Sequence, residues 1–78
     1  MANITHEIRR SLAVLSTSGN SGWATEVNIV SWNGGPEKLD IRAWSPDHSK
    51  MAKGLTFTED EARRLALALT DLFGGRRL

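Results

Sequence analysis

Lys38, Arg42, Lys50 and Lys53 stand close together in this chain, with Trp44 among them and Trp32 shortly before. Cations spaced in this way can neutralise successive phosphates. Flat indoles can stack on unpaired bases, at about 1–3 kcal/mol per base. Residues of these types therefore suit an anionic, base-bearing ligand such as a single-stranded nucleic acid. Each also has a plainer reading. A Trp can be core, which is the preferred reading for Trp23. A Lys can be solvated surface, and Arg42 can pair with Asp40 or Glu26.

Other chemistry finds little support. There is no Cys, no Gly-x-Ser-x-Gly and no His-Glu-x-x-His. Asp47-His48-Ser49 holds the residue types of a catalytic triad, but neighbours within one turn cannot build the base-to-nucleophile geometry. Two ligands such as Asp47 and His48 do not make a metal site. Asn33-Gly34-Gly35-Pro36 lacks the lysine and the following helix of a phosphate-binding loop. The expectation is a non-enzyme without metal or cofactor.

With 78 residues, the chain reads as one domain, 1–78, too small to bury a large core on its own. Small domains gain stability from disulfides, metals or partner subunits. Without Cys, and with only two His far apart, a homodimer is the remaining expectation. Aliphatic runs such as Leu12-Ala13-Val14-Leu15 are far short of the roughly 20 residues that span a bilayer. No signal-peptide core is visible, so a cytoplasmic, nucleoid-associated location with no membrane partner is expected. Net charge is only +1, so bulk electrostatics do not argue for nucleic acid. Position does: Lys38 to Lys53 carries four cations against two anions, while Glu59, Asp60 and Glu61 place acid elsewhere.

The elements that must hold these groups are mostly strands. Lys38 to Trp44 alternates, with Leu39, Ile41 and Ala43 on one side and Lys38, Asp40, Arg42 and Trp44 on the other. Ser45-Pro46-Asp47 breaks it. A short strand follows around Leu55 and Phe57. Trp23 to Trp32 is rich in strand-forming residues, and Asn33-Gly34-Gly35-Pro36 marks a hairpin. Pairing Trp32 with Lys38 sets Val27 and Ile29 beside Ala43 and Ile41. Pairing Trp32 with Glu37 would mix the faces, so burial favours the former. Asn3 to Thr17 is ambiguous: Ile4, Ile8, Leu12 and Leu15 fit a helix, whereas Ser11 to Ser16 reads as strand. Ser18 to Gly22 is a turn or loop.

Thr58-Glu59-Asp60-Glu61 is a capping box that opens a helix. Ala62, Leu65, Ala66, Leu69, Leu72 and Phe73 form one apolar stripe, for which the apolar sheet face is the available cover. Leu67 lies off the stripe, either simply exposed or reserved for a contact with a second subunit. Gly74-Gly75 ends the helix, leaving Arg76-Arg77-Leu78 as a tail.

Three blocks carry a resemblance. Val30-Ser31-Trp32-Asn33, then Asp40 through His48, then Lys50-Met51 with Lys53-Gly54-Leu55-Thr56 together resemble the bacterial YdbC-type proteins. These are relatives of the eukaryotic transcriptional coactivator positive cofactor four. The resemblance implies an α+β fold: a curved four-stranded antiparallel sheet followed by one C-terminal helix (β-β-β-β-α), assembled as a homodimer. It resolves the N-terminal ambiguity toward strand. It implies single-stranded DNA, or RNA, as ligand and transcription machinery as a partner. The matching contact positions are Trp32, Lys38, Arg42, Trp44, Lys50 and Lys53. It places the dimer interface on the helix, at Leu65, Leu67, Leu69, Leu72 and Phe73. The eukaryotic relatives carry Gly-Lys in the hairpin, where this chain has Gly34-Gly35-Pro36-Glu37. Their Ser/Lys-rich regulatory tail has no counterpart here.

The expected function is sequence-tolerant single-stranded DNA binding in transcription regulation, replication or repair, through the open sheet face of a homodimer. The alternative is a protein-interaction module that uses the same face.

Overall fold

The computed structural model describes residues 4–74. Four strands, β1 (His6–Thr17), β2 (Ala24–Trp32), β3 (Glu37–Trp44) and β4 (Leu55–Phe57), precede one helix, α1 (Glu59–Phe73). The strands form a single antiparallel sheet in sequential order. The expected tail at Arg76 to Leu78 lies outside the described residues. Among the described residues no helix is long and apolar enough to cross a membrane.

β1 explains why the N-terminal segment reads ambiguously. Its register against β2 slips three times, between Ile8 and Arg10, Ser11 and Ala13, and Val14 and Ser16. Each slip leaves one extra residue on β1: Arg9, Leu12 and Leu15. Bulges at three-residue intervals convert the period of two into a period near three, which imitates a helix in sequence. Each also bends the strand and adds twist. The sheet rolls up as a result. His6 pairs with Trp32 and Ala24 with Trp44, at opposite ends of β2. Flat strands would hold those ends about 26 Å apart. Yet the rings of His6 and Trp44 lie 4.8 Å apart, centroid to centroid.

The β2–β3 turn corrects the expected register. Ser31 pairs with Glu37, Ile29 with Leu39 and Val27 with Ile41, rather than Trp32 with Lys38. Asn33 (φ 52°) and Gly34 (φ 73°) occupy the two positive-φ positions of a tight turn closed by Gly35 N–H to Trp32 O at 2.8 Å. Pro36, which has no amide hydrogen to pair, is the extra residue. The slip is two residues, an even number, so every side chain keeps the face anticipated for it.

The two faces are filled differently. The side carrying Asn28, Val30, Asp40 and Trp44 holds the buried core of the chain. The side carrying Val27, Ile29, Leu39, Ile41 and Ala43 is only half-buried. α1 starts against this second side, where Ala62 and Glu59 border a cavity with Ile29 and Leu39. The capping box forms as expected: Glu61 N–H donates to Thr58 Oγ1 (3.1 Å), and Thr58 N–H donates to Glu61 Oε1 (2.9 Å). Burial of the whole stripe does not follow within one chain. Ala62 and Leu65 are half-buried, but Leu69, Leu72 and Phe73 are exposed, as is Leu67 at 70%. α1 packs chiefly on β3 and β4, and they cover only its first half.

Candidate nucleic-acid interface

Inside the roll, β3 supplies an ion pair that organises the site. Arg42 Nε donates to Asp40 Oδ1 and Arg42 Nη2 to Asp40 Oδ2, both at 2.7 Å. Asp40 is fully buried, so it needs these bonds. Thr56 Oγ1 donates to Asp40 Oδ2 at 2.8 Å, which ties in β4. Arg42 Nη1 also reaches the Ala52 carbonyl at 3.4 Å. The close approach that allows this depends on Gly54, where a Cβ would collide with the Arg42 side chain and the Ile41 carbonyl. Of the two acids considered in sequence, Arg42 thus takes Asp40, two residues away on the same face, and not its cross-strand neighbour Glu26.

The guanidinium lies over the Trp32 ring, 4.6 Å from its centroid, a cation–π geometry. Trp32 and Arg42 then line an open cleft of about 660 Å³ with Lys38, Lys53, Met51 and Thr56. Asn33 fixes one rim: its Oδ1 accepts from Thr5 N–H at 2.8 Å, and its own N–H donates to Thr5 O at 2.8 Å. Lys38, Lys50 and Lys53 form no ion pair among the described residues. Their charges are available, whereas that of Arg42 is largely balanced by Asp40.

Trp44 corrects the sequence expectation of an exposed stacking ring. It is fully buried. His6 packs on it at 4.8 Å and His48 at 5.6 Å. Alternation placed it on the correct face, but rolling of the sheet turned that face inward, and the deepest ring became core. The surface anticipated as open is therefore a groove with a filled floor. Lys50 is exposed on the 45–50 turn and does not line the cleft. Trp23, expected in the core, is half-buried.

That turn is a compact hydrogen-bonded unit. Asp47 Oδ1 accepts from Ser49 N–H (3.0 Å), Ser49 Oγ (2.7 Å) and Ser45 Oγ (3.0 Å). These bonds, led by the Ser49 amide, hold the Asp47 carboxyl down at about 2. His48 sits at φ 60° and points its ring back to Glu26, with Nε2 at 3.0 and 2.9 Å from the two carboxylate oxygens. Sequence reasoning treated His48 as part of a polar turn, offered Glu26 only as a partner for Arg42, and gave His6 no role. Their partners are distant along the chain, and no local spacing signals them. Among the described residues no group of three or more His, Asp or Glu gathers as a metal site would require.

Comparison with known proteins agrees with this architecture. The family model described as Transcriptional Coactivator p15 (PC4) matches residues 19–67, which include β2, β3, β4 and the first half of α1. A protein of Treponema pallidum (strain Nichols), described as uncharacterized, is 53% identical over 73 residues, spanning 94% of this chain and 80% of that protein. The matched segment contains the ion pair, the cleft tryptophan and the lysines that surround it, and on this evidence the chain belongs to the transcriptional coactivator p15 (PC4) family.

Proposed function

We propose that this protein is a non-enzymatic, sequence-tolerant single-stranded DNA-binding protein that works as a homodimer in transcription regulation, replication or repair. The observation that carries the reading is the cleft itself. An indole, Trp32, lies beside Lys38 and Lys53, two lysines free of ion pairs among the described residues. A base can stack in the cleft while its flanking phosphates meet the lysines. Lys50 extends the positive path beyond it. Arg42 acts mainly by holding Trp32, and Trp44 by supporting the floor from beneath. Family membership supports the same ligand class.

The homodimer rests on α1. Leu65, Leu67, Leu69, Leu72 and Phe73 form the surface a second copy would cover, and all but Leu65 are exposed in the single chain. A helix with so much uncovered apolar surface is stabilised by burying it.

The test is a fluorescence-anisotropy titration of labelled single-stranded DNA, the same sequence as duplex, and the matching RNA, with the mass of the complex measured by light scattering. Tight binding of the single strand, weaker binding of the duplex and a mass of two chains are the expected results. Equal affinity for duplex and single strand, or no binding of either, overturns the reading.

A further inference from the structure

We propose that the far end of the groove, at Glu26, Asn28 and His48, is a second binding site, which takes the amino edge of a cytosine, adenine or guanine and rejects phosphate. The proposal rests on the strand-binding reading above and adds a base preference to it.

A separate cavity of about 320 Å³ opens there, bordered by Ser11, Val14, Glu26, Asn28 and His48. Glu26 and Asn28 lie on the same face of β2 as Trp32, so both cavities belong to one groove. Three ring-to-ring steps join them: Trp32 to His6 at 5.9 Å, His6 to Trp44 at 4.8 Å and Trp44 to His48 at 5.6 Å. Trp44 is fully buried, so these rings fill the floor between the two cavities and are not a stacking path; a strand that runs from Trp32 to His48 crosses above them.

The chemistry of the two ends is opposite. The cleft at Trp32 is cationic. The cavity at His48 contains no Lys or Arg among its lining residues and carries the Glu26 carboxylate. Glu26 is held in place by His48 Nε2 and by Asn28 Nδ2, which donates to Oε1 at 3.0 Å. Asn28 is 1% exposed and spends one amide N–H on Glu26, while its Oδ1 is buried out of reach of a ligand, so its part is to hold the carboxylate. Reversing the amide would set two oxygens against each other. The site consequently presents one acceptor group, the Glu26 carboxylate, which keeps a spare lone pair beyond its bonds to His48 and Asn28. A ligand amine can donate to that carboxylate in a charge-assisted hydrogen bond.

Phosphate is excluded by like charge. Cytosine, adenine and guanine carry an exocyclic amine, whereas uracil and thymine place a carbonyl oxygen where cytosine has its N4 amine. An oxygen facing the Glu26 carboxylate is repelled, and an amine is bound. Leu12 and Val14 give the base apolar walls.

The test compares (dC)20 with (dU)20 at pH 8 by fluorescence anisotropy, using the full chain and Glu26→Gln, with circular dichroism as a folding check. The full chain should bind (dC)20 at least roughly fivefold more tightly than (dU)20, and Glu26→Gln should abolish the difference while still binding (dU)20. A second measurement needs no variant: replacing the cytosines by 2-pyrimidinone, which lacks the 4-amino group, should lower affinity by a similar factor. Equal binding of (dC)20 and (dU)20, a preference retained by folded Glu26→Gln, or no loss with 2-pyrimidinone overturns the proposal and leaves the strand-binding reading standing. Failure to bind either oligonucleotide overturns both.

Discussion

Asp40 grips Arg42 at two points, Oδ1 to Nε and Oδ2 to Nη2, each at 2.7 Å, and does so from a position with no solvent exposure. The pair is a stability element before it is a binding element. Arg42→Ala leaves a buried carboxylate without its partner and should cost about 3–5 kcal/mol. The double variant Asp40→Ala with Arg42→Ala removes both charges and should cost clearly less than the two single changes added together. Urea denaturation of the three variants measures the difference.

Trp32 is the indole that lines the cleft, so its loss should weaken single-stranded DNA binding by the value of one stacked base, about 1–3 kcal/mol, with a smaller loss of stability than at Trp44. Trp44→Ala should do the reverse. It removes a fully buried ring and should cost about 3–5 kcal/mol of stability. Anisotropy and thermal unfolding of the two variants separate the roles.

Salt dependence should report the lysines more than the arginine, because Asp40 already balances Arg42. Three phosphate contacts, from Lys38, Lys50 and Lys53, give a slope of log affinity against log salt near −2 per subunit, at about −0.7 per contact. Lys38→Ala should make that slope shallower by about 0.7, read from titrations at several salt concentrations.

The Asp47 carboxyl titrates at about 2, below its ordinary 3.8, because Ser49 and Ser45 donate to its charged form. A lowered pKa means that the folded turn prefers the carboxylate. The stability this contributes is complete above about pH 4 and is lost as pH falls toward 2. The Ser49 amide resonance should shift with a midpoint near 2 in acid titration by NMR. In Asp47→Asn that transition should vanish.

Leu72 stands 58% exposed on α1. If the proposed homodimer covers it, Leu72→Glu should yield monomers by sedimentation. It removes one buried leucine from each subunit, about 1.5–3 kcal/mol apiece, and adds a charge to an apolar contact.

Much of the fold is readable along the chain. Alternation from Lys38 to Trp44 assigns the faces of β3 correctly, and that assignment survives a hairpin register two residues away from the expected one. The capping box at Thr58 and the apolar stripe locate α1 because both are local devices, complete within one or two turns. β1 resists the same treatment: bulged residues Arg9, Leu12 and Leu15 interrupt its alternation, so no single period describes it. The candidate site is legible in part. Trp32, Lys38, Arg42 and Lys53 meet in one cleft, whereas His6, Glu26 and His48 emerge only from contacts between distant segments.

The amino-acid sequence by itself settled residue type and facing, since a strand side chain has only two directions to take and chemistry follows from which groups share one. It could not settle depth. How far the sheet curls depends on three bulges acting together, and that curl put Trp44 beneath the groove, left Trp32 in the cleft, and brought His48 from its turn onto Glu26. Exposure is a property of the whole rolled surface, so the tertiary structure alone decided which of the residues on one face became wall and which became floor.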